Sequence, residues 1–137
     1  YGGRLSSLLD VRMKDGNSKK TGVSSSIGTV SSKLTVEGPI IKDRTTFMAA
    51  GRRTFADLFL PLAKQKDARD NKLYFYDLNL KLSHVINENN RLYLSAYSGR
   101  DIFKNKYSSV GFGNNTASLR WNHLFSKKLF FNLSLNY

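Results

Sequence analysis

Cysteine is absent from this chain. That excludes disulfides, thiolate metal sites and cysteine nucleophiles. Proline is nearly absent, present only as Pro39 and Pro61, so little in the sequence forbids long strands. No apolar run approaches the roughly 18 residues of a membrane-spanning helix. The opening YGGRLSS is not the basic-then-apolar pattern of a secretory leader. Acidic residues are also few, at 10 against 22 Lys and Arg, for a net charge of +12.

Aromatic residues make up 12% of the chain, and with the β-branched residues they favour strands. From Thr21 onward, strand-like runs are joined by connections that alternate short and long. The short ones are Lys42 to Arg44, Asn87 to Asn90 and Ser126 to Lys128. The long ones run from Leu60 to Lys72 and from Gly99 to Gly113. Tight turns at one end and long loops at the other are the layout of an outer-membrane β-barrel. Barrel strands are only half apolar, so a mean hydropathy of −0.40 does not oppose a membrane location.

Within the runs, apolar and polar residues alternate with period two. The stretch from Gly22 to Ile40 reads as one strand, with Val30, Leu34 and Val36 on one face. A second strand follows the turn at Lys42 to Arg44 and carries the adjacent Arg52 and Arg53. Tyr74, Tyr76, Leu78, Leu80 and Leu82 share a face in the third, opposite Phe75, Asp77, Asn79, Lys81 and Ser83. Leu92 and Leu94 continue the apolar face in the fourth, Leu119 and Trp121 in the fifth, and Leu133 and Leu135 in the sixth. In a water-soluble sandwich this face is core. In a barrel it meets lipid, and the polar face lines an aqueous interior. Aromatics also collect at strand ends, Tyr74 and Tyr76 at one rim and Phe125, Phe130 and Phe131 at the other, as in interfacial girdles. No helix is strongly signalled; Ala56 to Asp70 reads as a loop because of Pro61 and its polar tail.

The positive charge has two readings. Nucleic-acid binding needs cations along one face. Here Lys42, Arg44, Lys64, Lys66, Arg69, Lys104, Lys106, Lys127 and Lys128 fall in connections, so no nucleic-acid partner is expected.

The first residues, Tyr1 to Met13, form a separate unit whose LSSLLDVRM reads as a short strand, followed by the Asp15-Gly16 turn signal. YGGRLSSLLDVRMKDGN resembles the end of the plug domain of TonB-dependent outer-membrane receptors. Tyr1 and Gly2 match that family's opening pair, Leu8, Leu9 and Val11 its apolar strand, and Lys14 its basic position. Asp10, Met13 and Ser6-Ser7 depart from its usual Asn, Thr and Gly-Gly. The blocks from Ile27 to Phe59 and from Leu73 to Asp101 resemble the first barrel hairpins of a branch that often carries a carboxypeptidase-regulatory-like domain before the plug.

The resemblance implies an all-β antiparallel meander. It would be a partial transmembrane barrel, with about six strands of a larger plugged one of ~22. Residues 1–20 would end the plug domain and link it to the wall, and residues 21–137 would be the N-terminal strands. It implies energy-coupled uptake of a nutrient such as a siderophore, glycan or peptide, and a location in the bacterial outer membrane. Partners would be outer-membrane lipid, the TonB complex acting through a segment before Tyr1, the transported ligand, and a surface lipoprotein. No cofactor or metal is implied. The candidate ligand residues at the long-loop rim are Tyr97, Arg100, Asp101, Arg52, Arg53 and Asp57.

The residues themselves leave other classes open. Another outer-membrane barrel, an adhesin or a secretion translocator, would show the same alternation. So would a soluble basic β-sheet module. No catalytic constellation is expected. His84 and His123 lack a carboxylate or second His at metal-ligand spacing, the serines lack a nucleophile elbow, and Gly111 to Asn115 does not lead from a strand into a helix.

Overall fold

A computed structural model describes residues 13–54, 72–104, 106–126 and 128–137. Among these residues, seven strands form one sheet: β1 (Gly22–Ile27), β2 (Ser31–Ile41), β3 (Thr45–Thr54), β4 (Lys72–Asn87), β5 (Asn90–Lys104), β6 (Ser109–Ser126) and β7 (Leu129–Asn136). Their order in space is their order in sequence, and every neighbouring pair is antiparallel. The sheet is an open meander with β1 and β7 at its edges. The LSSLLDVRM segment (but for Met13, which is in no strand) and the Ala56 to Asp70 loop lie outside the described residues.

Two sequence expectations need correcting. The stretch from Gly22 to Ile40 is a hairpin and not one strand, which makes seven strands where about six were expected. The chain reverses between Ile27 and Ser31, and the Gly28 amide donates to the Ser31 carbonyl at 2.8 Å. Val30 therefore sits in a turn, exposed, and not on a strand face. The connection expected from Gly99 to Gly113 is also shorter than its sequence suggests. β5 runs to Lys104 and β6 begins at Ser109. Gly99 pairs with Asn114 and Arg100 with Gly113. Glycine and asparagine disfavour strands, but a partner strand in register overrides that preference. Tight connections do occupy one end, as expected, but the opposite end mixes the tight β1–β2 turn with the others.

The turns at the uniformly tight end have local causes. Between β2 and β3, Asp43 takes a left-handed backbone with φ of 57°, which its short polar side chain tolerates. Between β4 and β5, the Asn87 side-chain oxygen accepts from the Asn89 amide at 3.0 Å and from Asn90 Nδ2 at 2.9 Å. This is the mimicry by which asparagine closes turns.

The register aligns like with like. Phe47, Leu82, Leu94, Leu119 and Leu135 form one row across five strands. On the reverse side, Glu37, Met48, Lys81, Ser95, Ser118 and Asn136 form another. Exposure differs between the two faces of β4 and β5. Leu78, Leu80 and Leu94 are 45%, 44% and 49% exposed, while Lys81 is 8% exposed. The cover over the polar side is Met13 to Lys20, which crosses it before the chain enters β1. Gly16 lies against the Phe47 backbone carbonyl so closely that a Cβ there would collide with it. The close approach requires glycine.

Candidate functional site

The polar face is organised around Lys81. Taking an ammonium out of water demands compensation, and the N-terminal segment supplies it. Lys81 Nζ donates to the Met13 carbonyl at 2.5 Å and pairs with Asp15 Oδ1 at 2.7 Å. The same carboxylate oxygen accepts from Ser83 Oγ at 2.9 Å. Tyr93, opposite Ser83, lies between two cations, with Lys81 Nζ 5.6 Å and the Arg120 guanidinium 4.8 Å from its ring centroid. Partial burial alone would raise the Asp15 carboxyl. The hydrogen bonds from Lys81 and Ser83 and the charges of Lys81 and Arg120 outweigh it, and hold Asp15 below the ordinary carboxylate range.

Two further contacts fix the segment. Lys14 Nζ reaches Glu37 Oε1 at 3.1 Å, and the Asp43 amide donates to the Ser18 carbonyl at 3.2 Å. Between them the Asn17 side chain accepts from the Lys19 and Lys20 amides. Each contact joins the segment to a different part of β2 to β4, so it is docked along its length. Glu37 Oε2, Arg120 Nε and Asn122 Oδ1 are buried polar atoms with no partner among the described residues, so this face has hydrogen-bonding capacity to spare.

Toward the end that bears the 55–71 connection, the same face opens into a groove. Its floor is an ion pair, Arg52 Nη2 to Asp77 Oδ2 at 2.8 Å, with Arg52 Nε on the same oxygen. The Arg52 guanidinium also lies 5.4 Å from the Phe75 ring centroid. Tyr97, Asp101, Phe103 and Phe112 are also among the groove's lining residues. Aromatic rings beside fixed charges make a surface suited to a polar ligand with stacking faces.

The six candidate ligand residues do not form one site. Tyr97, Asp101 and Arg52 line the groove. Arg53 and Arg100 are on the reverse face, both opposite Tyr76 in register. Asp57 lies outside the described residues. Lys81, Glu37, Phe75, Asp77 and Phe112 were not singled out from sequence as ligand or docking residues, although Lys81 and Asp77 interrupt an apolar strand at period two, which was the available signal.

The other expected outward residues lie on one face. Leu34 and Val36 come from β2, Tyr74, Tyr76, Leu78, Leu80 and Leu82 from β4, Leu92 and Leu94 from β5, Leu119 and Trp121 from β6, and Leu133 and Leu135 from β7. Val23 of β1 extends this face by pairing with Val36. At its tight-turn border, Asn90 Oδ1 accepts from Trp121 Nε1 at 3.1 Å and lies 2.6 Å from His123 Nδ1. Trp121 meets Phe131 edge-on, and His123 meets Phe125 likewise. His84 Nδ1 is 2.8 Å from Thr45 Oγ1. Both histidines thus have hydrogen-bonding partners, and no group of three metal-ligating side chains occurs among the described residues.

No known protein family, curated protein or solved structure matches this chain.

Proposed function

We propose that this chain is a stretch of transmembrane wall, with the adjoining end of a plug domain, from a TonB-dependent outer-membrane receptor that imports a nutrient. One observation carries the reading: the leucine face is bare while the lysine-bearing face is docked by the chain's own N-terminal segment. Leaving a leucine in water forgoes about 1.5–3 kcal/mol, so a continuous leucine row requires a cover. Lipid is the cover that matches its dimensions. From Tyr76 at one border to His84 at the other is about nine residues, roughly 30 Å of strand, close to the 9–11 residues of a membrane-crossing strand. Tyr74 and Tyr76 at one limit, and Trp121 with its aromatic neighbours at the other, suit the two interfaces.

In this reading Met13 to Lys20 is the junction between plug and wall, and the groove around Arg52, Asp77, Tyr97 and Asp101 faces the transport path. The two free edges continue into further strands of a larger barrel, because unpaired backbone is not tolerated in lipid. Transport here is binding and conformational work without bond chemistry. Its energy comes from the TonB complex acting on a segment N-terminal to Tyr1.

The test is fractionation of the full-length protein followed by an uptake assay. It should co-sediment with outer membranes, require detergent for extraction, and lose uptake when TonB is deleted. Recovery from aqueous extract without detergent would overturn the reading.

A further inference from the structure

Arg53 and Arg100 lie on the face opposite the groove. Both point to the leucine face, and Tyr76 lies between them in the same cross-strand row. Two strand spacings separate their backbones by about 9.6 Å, a span that two long side chains readily close. Arg53 leans away from the leucines, with its guanidinium 5.4 Å from the Tyr74 ring centroid. Gly113 stands beside Arg100 in the same cross-strand row. Both arginines are exposed.

The distribution of charge makes this row unusual. The strand carboxylates Glu37, Asp77 and Asp101 all lie on the opposite face. Arg52, one residue from Arg53, is neutralised there by Asp77. Among the described residues, neither Arg53 nor Arg100 has an anionic partner. Two guanidiniums at the margin of an apolar band, flanking a tyrosine, fit an anion presented from the membrane side. Guanidinium favours phosphate oxygens because its fork can engage two at once.

We infer that Arg53 and Arg100 together bind a phosphate on the headgroup of an outer-leaflet lipid, with Tyr76 packing beneath it. This inference rests on the membrane reading proposed above. With tight turns facing the periplasm, the arginine row lies at the outer-leaflet border. The lipid's acyl chains would then run down over Leu78 and Leu80.

The test is native mass spectrometry of the detergent-purified full-length protein, titrated with lipid A, with enzymatically dephosphorylated lipid A, and with inorganic phosphate. Lipid A should bind at least tenfold more tightly than the dephosphorylated form. Arg53→Gln/Arg100→Gln should lose at least tenfold. Arg53→Lys/Arg100→Lys should fall between, since lysine keeps the charge without the fork. Lys128→Gln, at the tight-turn end, should bind as the parent does. Heat-dependent mobility in gels selects variants that are folded. The inference is overturned if the double glutamine variant binds lipid A as tightly as the parent. It is equally overturned if dephosphorylation makes no difference, or if inorganic phosphate displaces lipid A at equal concentration. Any of these results from a protein extracted only by detergent sinks the lipid site alone. A protein that needs no detergent sinks the membrane reading itself.

Discussion

Lys81 Nζ and Asp15 Oδ1 stand 2.7 Å apart, and the lysine side chain is 7% exposed while the aspartate side chain is 55% exposed. The pair is unequal. Removing Asp15 leaves a buried cation short of a partner; removing Lys81 leaves a carboxylate that water can reach.

Asp15→Asn should therefore loosen the segment more than the exposure of Asp15 suggests. Surface ion pairs contribute about 0–1 kcal/mol, whereas stranding a buried charge costs about 3–5 kcal/mol. The expected loss lies between, because the Met13 carbonyl still holds Lys81. Tryptic cleavage after Lys19 and Lys20 should accelerate several-fold, read by mass spectrometry of the intact protein. Cleavage as slow as in the parent would show that the pair does not hold the segment.

Acid should release the same segment. The folded Asp15 carboxyl sits below its ordinary value of 3.8, so its contribution is complete above that value and disappears as pH falls through the depressed one. A nitroxide at position 19 should stay immobile from neutral pH to about 5 and become mobile only below the usual carboxylate range, near 4. In Asp15→Asn the same label should show no such transition.

Gly16→Ala should destabilise by about 1–3 kcal/mol, the usual penalty for overfilling a packed site. The new methyl meets the Phe47 backbone carbonyl, which cannot rotate away as a side chain could. Urea unfolding in detergent micelles measures it. Gly111→Ala is the control, since its Cβ would meet only the Asp101 carbonyl at an ordinary 3.6 Å.

Leu80→Arg should separate the lipid-facing reading from a water-facing one. In a bilayer an outward arginine near midplane costs about 2–4 kcal/mol. On a water-exposed face an arginine for leucine exchange falls within about 0.5 kcal/mol of neutral. Reversible folding into vesicles measures the difference, with Ser95→Arg as the inward-facing comparison.

Much of the fold was legible because the strand period is two. Tyr74 to Leu82 fixes both faces of β4, and the rows on β5 to β7 follow. The β1–β2 reversal was missed because Gly28-Thr29-Val30 holds one glycine among residues that also suit strands, and Ser24 to Ser26 gives no alternation to interrupt. The ligand set was split by a rule the sequence already contained. Arg52 and Arg53 are neighbours, as are Arg100 and Asp101, and neighbours in a strand point to opposite faces. The docking of Asp15 on Lys81 was not legible, since it joins residues far apart in sequence across an irregular segment without periodicity.

The anchorage of Met13 to Lys20 has a mechanical corollary. Its holdfasts follow one another along the chain, Met13 on Lys81, Lys14 on Glu37, Asp15 again on Lys81, then Ser18 on Asp43. Tension arriving from the N-terminal side loads the first before the others. The tether thus peels like tape, and the force it withstands is set by its strongest single attachment and not by their sum.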